Sequence, residues 1–416
     1  MFEFGRDLRR LFEKARDSDD LGWLELINVG LLESEARQQS VDAGRVSCNT
    51  PFESSLRATI LWREHARRTG TANSLAKAEA EGRATSRHAH NEDQAARASL
   101  EMIQTGLLAF DLCGGPERLI AIQALLERLP VSRRGSTCLS LMALKARLKM
   151  RQAILDGRHE LMLAACDDME KAVQALRGQQ GLAMTELRLE QASLSLETGL
   201  VARDLKRLDQ AGRDLRHLVE EAPADQRPVT RARALALCGL GMVALSSFAA
   251  DAAARQQGQT LFEAAADQFT LDHSPLDWAT IQLMRAEDGN LPLVTLVQVE
   301  ALTEDSGLIL GAEAHERRLA QEIRQADAVG DISGLSAIEC RIKRRLRYPS
   351  AAATPLDWVA DQISLATIAM ARTRWTGLPN GKIGMMLHEA ATTAREMGAT
   401  SLAARASSLL QHPQTA

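Results

Sequence analysis

Three histidines are followed directly by glutamate, His159-Glu160, His315-Glu316 and His388-Glu389, as in the zinc-protease pattern. A helix needs a second histidine at i+4 to bring both imidazoles onto one face, and none of the three pairs has it. Each histidine is therefore read as a surface or interhelical residue. His88-Ala89-His90 with Glu92 and Asp93 is denser. On a helix, i and i+2 diverge by about 200°, so the two imidazoles could share a metal only in a turn, and the segment is read as solvated. Gly377-Leu378-Pro379-Asn380-Gly381-Lys382-Ile383 places glycine before lysine as a phosphate cradle does. The spacing is one residue short, no hydroxyl follows Lys382, and no strand precedes the segment, so a helix-helix loop is expected. No G-x-S-x-G elbow occurs. Cys48, Cys113, Cys138, Cys166, Cys238 and Cys340 form no C-x-x-C pair and no regular framework, which points to mostly buried thiols. The sequence implies no catalytic residue, no metal and no cofactor.

Two charged segments could bind rather than catalyse. Arg341, Lys343, Arg344, Arg345 and Arg347 crowd the end of a predicted helix. Cations there oppose the negative pole of the helix dipole, a structural role; the other reading is contact with an acidic partner or nucleic acid. At the N-terminus, Phe2, Phe4, Leu8, Leu11 and Phe12 form an apolar stripe beside Arg6, Arg9, Arg10 and Lys14. The stripe could lie on an anionic membrane. Its acids dilute that reading in favour of docking on the following helices.

The whole chain sets the scale for these features. Its 416 residues are too many for one ordinary core, leaving several domains or an elongated array. The hydrophobic fraction is 45% with only 3% aromatic, so the apolar mass is aliphatic and favours close-packed helices. Fifty basic against 54 acidic residues give a net charge of −4, which argues against a nucleic-acid coat. No run reaches the roughly 18 consecutive apolar residues that span a bilayer, and residues 1–16 lack the apolar core of a secretion signal. A cytoplasmic protein is expected.

Apolar spacing at i, i+3, i+4 and i+7 predicts helix nearly everywhere. Breaks at Cys113 to Pro116, at Glu221 to Pro228, at Gly289 to Pro292, at Tyr348-Pro349 and at Gly377 to Gly381 separate the elements. They divide the chain into an N-terminal helical region, 1–114, middle hairpins, 115–225, and a repeat region, 226–416. Leu21 to Gln39 and Pro51 to Arg68 read as helices, with Thr50, Pro51 and Glu53 supplying cap, N1 proline and N3 acid for the second. Ala72 to Leu112 is one long helix or two joined near Arg87 to Asn91.

The strongest internal signal is a repeat. Ser274-Pro275-Leu276-Asp277-Trp278-Ala279 with Gln282 returns 80 residues later as Thr354-Pro355-Leu356-Asp357-Trp358-Val359 with Gln362. Each copy is a helix start: a hydroxyl N-cap, proline at N1, aspartate at N3 near the positive dipole end, and tryptophan at N4 placed to pack on a neighbouring helix. Leu293 to Thr303, Leu308 to Ala328 and Ile332 to Leu346 complete two hairpins of about 40 residues each.

These segments resemble the helix-A openings of a bacterial Pro-Leu-Asp-Trp-Ala subgroup of tetratricopeptide repeat (TPR) proteins. Leu240-Gly241 with Ala244 resembles the centre of such a helix A, and Leu261 to Phe269 a helix B running into Pro275. Arg285-Ala286 and Leu365-Ala366 stand where the subgroup carries Leu-Gly, so alanine replaces the glycine that lets paired helices approach. The resemblance covers roughly 229–410 and implies an all-α, TPR-like solenoid. Such an array is expected to be a non-catalytic scaffold that binds a protein or peptide through the first helix of each pair. The competing reading is a regulatory module that grips nucleic acid or an anionic membrane through its basic segments. A third is an enzyme whose site is assembled between helices.

Overall fold

The computed structural model describes residues 21–129, 135–176, 182–286, 291–303, 308–349, 354–377 and 382–411. Within these residues every regular element is helical. A 3₁₀ turn, Leu21–Leu26, precedes α1 (Val29–Ala43), α2 (Pro51–Thr69), α3 (Ala72–Arg87), α4 (Glu92–Cys113), α5 (Pro116–Glu127), α6 (Gly135–Asp156), α7 (His159–Ala175), α8 (Leu182–Ala202) and α9 (Leu205–Glu221). The chain continues through α10 (Pro228–Ala249), α11 (Ala252–Ala266), α12 (Pro275–Ala286), α13 (Leu293–Thr303), α14 (Ile309–Ala328), α15 (Ile332–Arg347), α16 (Pro355–Thr376), α17 (Ile383–Glu396) and α18 (Thr400–Gln411).

Local chemistry sets these boundaries. Proline opens α2, α5, α10 and α16 at the first helical position, where its missing N–H has no partner to lose. Asn28, Asn91, Asp204, Asp251 and Asp331 cap helices by accepting from backbone N–H groups two to three residues further on, each worth about 1 kcal/mol. Thr354 and Asp357 form a reciprocal capping box, with Thr354 N–H donating to Asp357 at 2.7 Å. Thr50 caps by position alone; its hydroxyl makes no cap hydrogen bond.

Two expectations change. Leu21 to Gln39 is not one helix: Asn28 starts α1 by accepting from Leu31 N–H at 2.9 Å. The carbonyls of Leu24 and Ile27 are taken by the Arg68 guanidinium at 2.6 and 2.8 Å, so the preceding residues stay a 3₁₀ turn. Ala72 to Leu112 resolves into α3 and α4, because Asn91 caps the second helix across the His88–His90 turn.

Neighbouring helices pair as antiparallel hairpins: α2 with α3, α4 with α5, and so on to α16 with α17. Each pair carries its own small core. In α6 and α7, for example, Ala143, Ala146, Met150 and Ala153 meet Met162, Ala165, Cys166 and Met169. Small side chains permit close approach, most of all between α10 and α11. A Cβ on Gly239 would lie 2.8 Å from the Phe262 ring and 3.0 Å from the Gly258 carbonyl. Gly241, which the TPR resemblance places at the helix-A centre, faces Leu196 of the preceding pair instead.

First helices also stack on first helices, α2 on α4, α4 on α6, α8 on α10, α10 on α12 and α14 on α16. The array then closes on itself. The α2 helix packs on α12 and α4 on α14, Val29 N–H donates to the Asp272 carbonyl at 3.0 Å, and Gly115 N–H reaches the Met397 carbonyl at 3.4 Å. The 3₁₀ turn seals one end: Glu25 accepts from Thr230 N–H at 2.8 Å and from its hydroxyl at 2.6 Å. Among the described residues α10 is the one helix whose length and mean hydropathy would suit a membrane span. It carries Arg231 and Arg233 and packs between α9 and α11.

Candidate functional site

The ring of first helices borders a half-open cavity of about 510 Å³, within the range of small-molecule sites. Side chains of α2, α4, α6, α8, α10 and α12 line it. Leu144, Leu187, Leu237, Ile281 and Met284 form apolar wall, into which Arg63, Arg67, Arg147, Arg151 and Arg233 project with Glu186, Glu190 and Asp277.

The arginines are held by acids. Arg233 forks onto Asp277 through Nε and Nη2 at 2.8 and 2.5 Å. Arg67 forks onto Glu64 at 2.7 and 2.6 Å, and Glu64 also accepts from the fully buried Arg68 at 2.6 Å. Arg151 forks onto Asp111 at 3.0 and 2.9 Å, Arg63 donates to Glu101 at 3.2 Å, and Arg147 pairs with Glu190. Such bidentate pairs orient the guanidinium plane as well as neutralising it.

Burial shifts these groups in opposite directions. It would push the Glu64 carboxyl up, but Arg67 and Arg68 outweigh it and hold the group at about 2. The Arg67 guanidinium, disfavoured by burial, is held above its ordinary value by Glu64. Glu186 moves the other way: burial raises its carboxyl, Arg67 only partly offsets this, and Glu64 adds repulsion. Arg67 Nη1 is buried and has no hydrogen-bond partner.

A second buried polar cluster sits away from the cavity. His315, 7% exposed, lies between two carboxylates, Nδ1 at 2.5 Å from Glu300 and Nε2 at 3.2 Å from Asp361. Burial would lower its pKa, but the bonds to Asp361 and Glu300 prevail and raise it. The imidazolium then donates from both nitrogens. Burial likewise disfavours ionised Glu300, yet bonds from His315 and Arg318 bring it to about 2. The cluster ties α13, α14 and α16 together, and Arg345 of α15 joins through Asp361 at 2.9 Å.

Most of the residues singled out by sequence fall outside the cavity. Arg341 pairs with Glu322, Lys343 with Glu339 at 2.5 Å, and Arg345 with Asp361 and the Asp357 carbonyl, while Arg344 and Arg347 are exposed. Pro275 and Pro355 open α12 and α16. Trp278 is half-buried between the cores of the α10–α11 and α12–α13 pairs, and Trp358 is half-buried against the core of α16, α17 and α18. The two aspartates share the N-cap contact and differ in what they add: Asp357 completes a capping box, whereas Asp277 accepts from the Ser274 hydroxyl, faces the cavity and holds Arg233. The His88–His90 turn is partly exposed, and among the described residues no three His, Cys, Asp or Glu side chains converge as a metal site. His159 begins α7, His388 is exposed on α17, and Gly377 ends α16. The N-terminal stripe, Cys138 side chain and Leu378 to Gly381 lie outside the described residues.

The cavity residues left a trace that sequence reading missed. Arg63 and Arg67, Arg147 and Arg151, and Glu186 and Glu190 are like charges at i,i+4 on apolar helices. Such pairs repel within an isolated helix, and Arg63, Arg147 and Arg151 indeed meet their acids on other helices.

No known protein family matches the chain, and no curated protein matches it. Among solved structures, a Rap protein complexed with competence and sporulation factor is similar at 11% identity and a TM-score of 0.48, over 88% of this chain and 98% of that one. A circular tandem repeat protein with novel repeat topology and enhanced subunit contact surfaces is similar at 18% identity and a TM-score of 0.21, over 98% and 87%. Both likenesses are too distant to carry a function over to this chain.

Proposed function

We propose that this protein is a non-catalytic helical-repeat scaffold that binds a peptide or protein segment inside its ring of first helices. The carrying observation is the cavity of about 510 Å³, to which six successive first helices contribute one continuous lining. Apolar wall provides the affinity of area removed from water, and fixed arginine–acid pairs provide directional contacts. These are features of recognition: five arginines of the lining are held in ion pairs with acids, and among the described residues no cysteine or histidine faces the space.

The basic-segment reading gains nothing from the geometry. Arg341, Lys343 and Arg345 are each held by an acid, and a phosphate would have to displace Glu322, Glu339 and Asp361.

The test fills the cavity. Ser193→Trp and Thr280→Trp project indole into it, whereas Gln123→Trp, on exposed α5, does not. A partner captured from native extract by wild-type protein and by Gln123→Trp, but lost from both cavity variants at unchanged melting temperature, is the expected result. Undiminished capture by the filled variants would place binding on another surface.

A further inference from the structure

The 3₁₀ turn that seals one end of the ring is fastened differently on its two sides. Towards the N-terminal hairpins the fastening is apolar: Trp23, Leu24 and Ile27 share a core with Leu32, Leu61 and Trp62 of α1 and α2. The fully buried Arg68 adds bonds to the Leu24 and Ile27 carbonyls at 2.6 and 2.8 Å. Towards α10 and the loop before α12 the fastening is polar. Glu25, 2% exposed, takes the Thr230 N–H and hydroxyl, its carbonyl accepts from His273 Nε2 at 2.9 Å, and Val29 N–H reaches the Asp272 carbonyl. Among the described residues the turn shares no apolar core with α8, α10 or α12.

That asymmetry decides which side lets go. Pulling the turn off α2 would expose a tryptophan and leave a buried guanidinium without its acceptors. Pulling it off α10 exchanges hydrogen bonds for bonds to water and rehydrates a buried carboxylate, so the loss is partly offset. Release would bare the start of α10, whose own N-cap residue, Arg227, makes no side-chain cap; Glu25 supplies that cap from another element. The turn also stands beside the cavity. It packs on α8 and α10, Arg233 of the lining lies one helical turn beyond Thr230, and the Glu25 charge acts on Glu186 of the lining. We propose that residues 21–27 form a strap, fixed to α2 and releasable from α10, whose detachment parts the ring between α2 and α12 and opens this end of the cavity. Such a gate serves a ligand of any chemistry and so goes beyond the scaffold reading.

Two backbone amides report the strap directly, because Val29 N–H and Thr230 N–H are both bonded across it. Hydrogen–deuterium exchange of the full-length protein, resolved by electron-transfer fragmentation, should show the two with similar protection. Both should exchange at least about tenfold faster than amides of the α6–α7 core, as a locally opening unit does. Glu25→Ala should speed Val29 exchange by about tenfold, the worth of one hydrogen bond to a charged group, and leave the α6–α7 core unchanged. Thr230→Val, which keeps the backbone amide and removes only the hydroxyl, should act in the same direction with less risk to folding. In a Ser193→Cys background, both substitutions should also speed alkylation at position 193 by fluorescein maleimide, mapped by peptide mass spectrometry. Glu53→Ala, which breaks the exposed pair with Arg97, should not. Exchange of Val29 and Thr230 only together with the α6–α7 core overturns the strap, as does equal acceleration of that core by both variants. Faster Val29 exchange with unchanged alkylation overturns the gate, because the turn would then move without opening the cavity. Neither readout uses a ligand, so either failure leaves the scaffold reading standing.

Discussion

At the scale of the residue, two titratable groups have opposite consequences for stability. His315 has a folded-state pKa above its ordinary 6.5, because bonds to Asp361 and Glu300 outweigh the effect of burial. A base with a raised pKa contributes stability that is fully present below pH 6.5 and lost as pH rises through the folded value. His315→Gln should therefore destabilise the protein more at pH 6 than at pH 9, read by chemical denaturation at both; an equal loss at the two pH values would show that the imidazole is held neutral. Glu186 is an acid raised by burial. Its ionisation costs folded-state stability once pH passes the unfolded value near 4.5, and the cost grows until the folded pKa is passed. Glu186→Gln should thus raise the melting temperature at pH 8 relative to wild type and leave it nearly unchanged at pH 4. A lowered melting temperature at pH 8 would mean that the carboxylate is a structural partner.

At the scale of the element, what was legible depended on range. Helix starts were written in adjacent residues: proline at N1 with a hydroxyl or Asx cap is local chemistry, and Leu293–Thr303 came out with the bounds expected of it. Asp277 and Asp357 show where local reading ended. They occupy identical positions after identical prolines and both accept from the N-cap hydroxyl, yet Asp277 also holds Arg233, because α12 faces the cavity. The basic end of α15 divides in the same way. Arg345 serves Asp361, whose side chain is 2% exposed, while Arg344 points outward. Arg345→Gln should cost about 1–2 kcal/mol, the loss of a buried pair discounted for the partial exposure of Arg345, and Arg344→Gln should stay within about 0.5 kcal/mol. Urea denaturation measures both, and equal effects would return the whole segment to a uniform charge–dipole role.

At the scale of the molecule, ring closure was not legible at all, because α2 meets α12 across more than 200 positions of sequence and no periodicity reports such a contact. It is nonetheless what turns a stack of hairpins into a ring around a site, and two glycines isolate its energy. Gly70 and Gly377 end α2 and α16 in the same left-handed conformation, φ 68° with ψ near zero. Alanine costs roughly 1–2 kcal/mol in that conformation at either position. Among the described residues nothing lies within 4 Å of a Cβ on Gly377, but a Cβ on Gly70 would lie 2.6 Å from Leu308 Cδ1 and 3.2 Å from Leu276 Cδ1, both in buried side chains at the closure. Those leucines can yield only by disturbing the α2–α12 contact, so Gly70→Ala should cost about 1–2 kcal/mol more than Gly377→Ala, the usual penalty of overpacking. Small-angle scattering should also show an increased radius of gyration for Gly70→Ala alone. If the two variants melt together and scatter alike, the closure yields without cost, and the cavity is a groove whose two ends can part to admit a bulkier segment than the cavity volume allows.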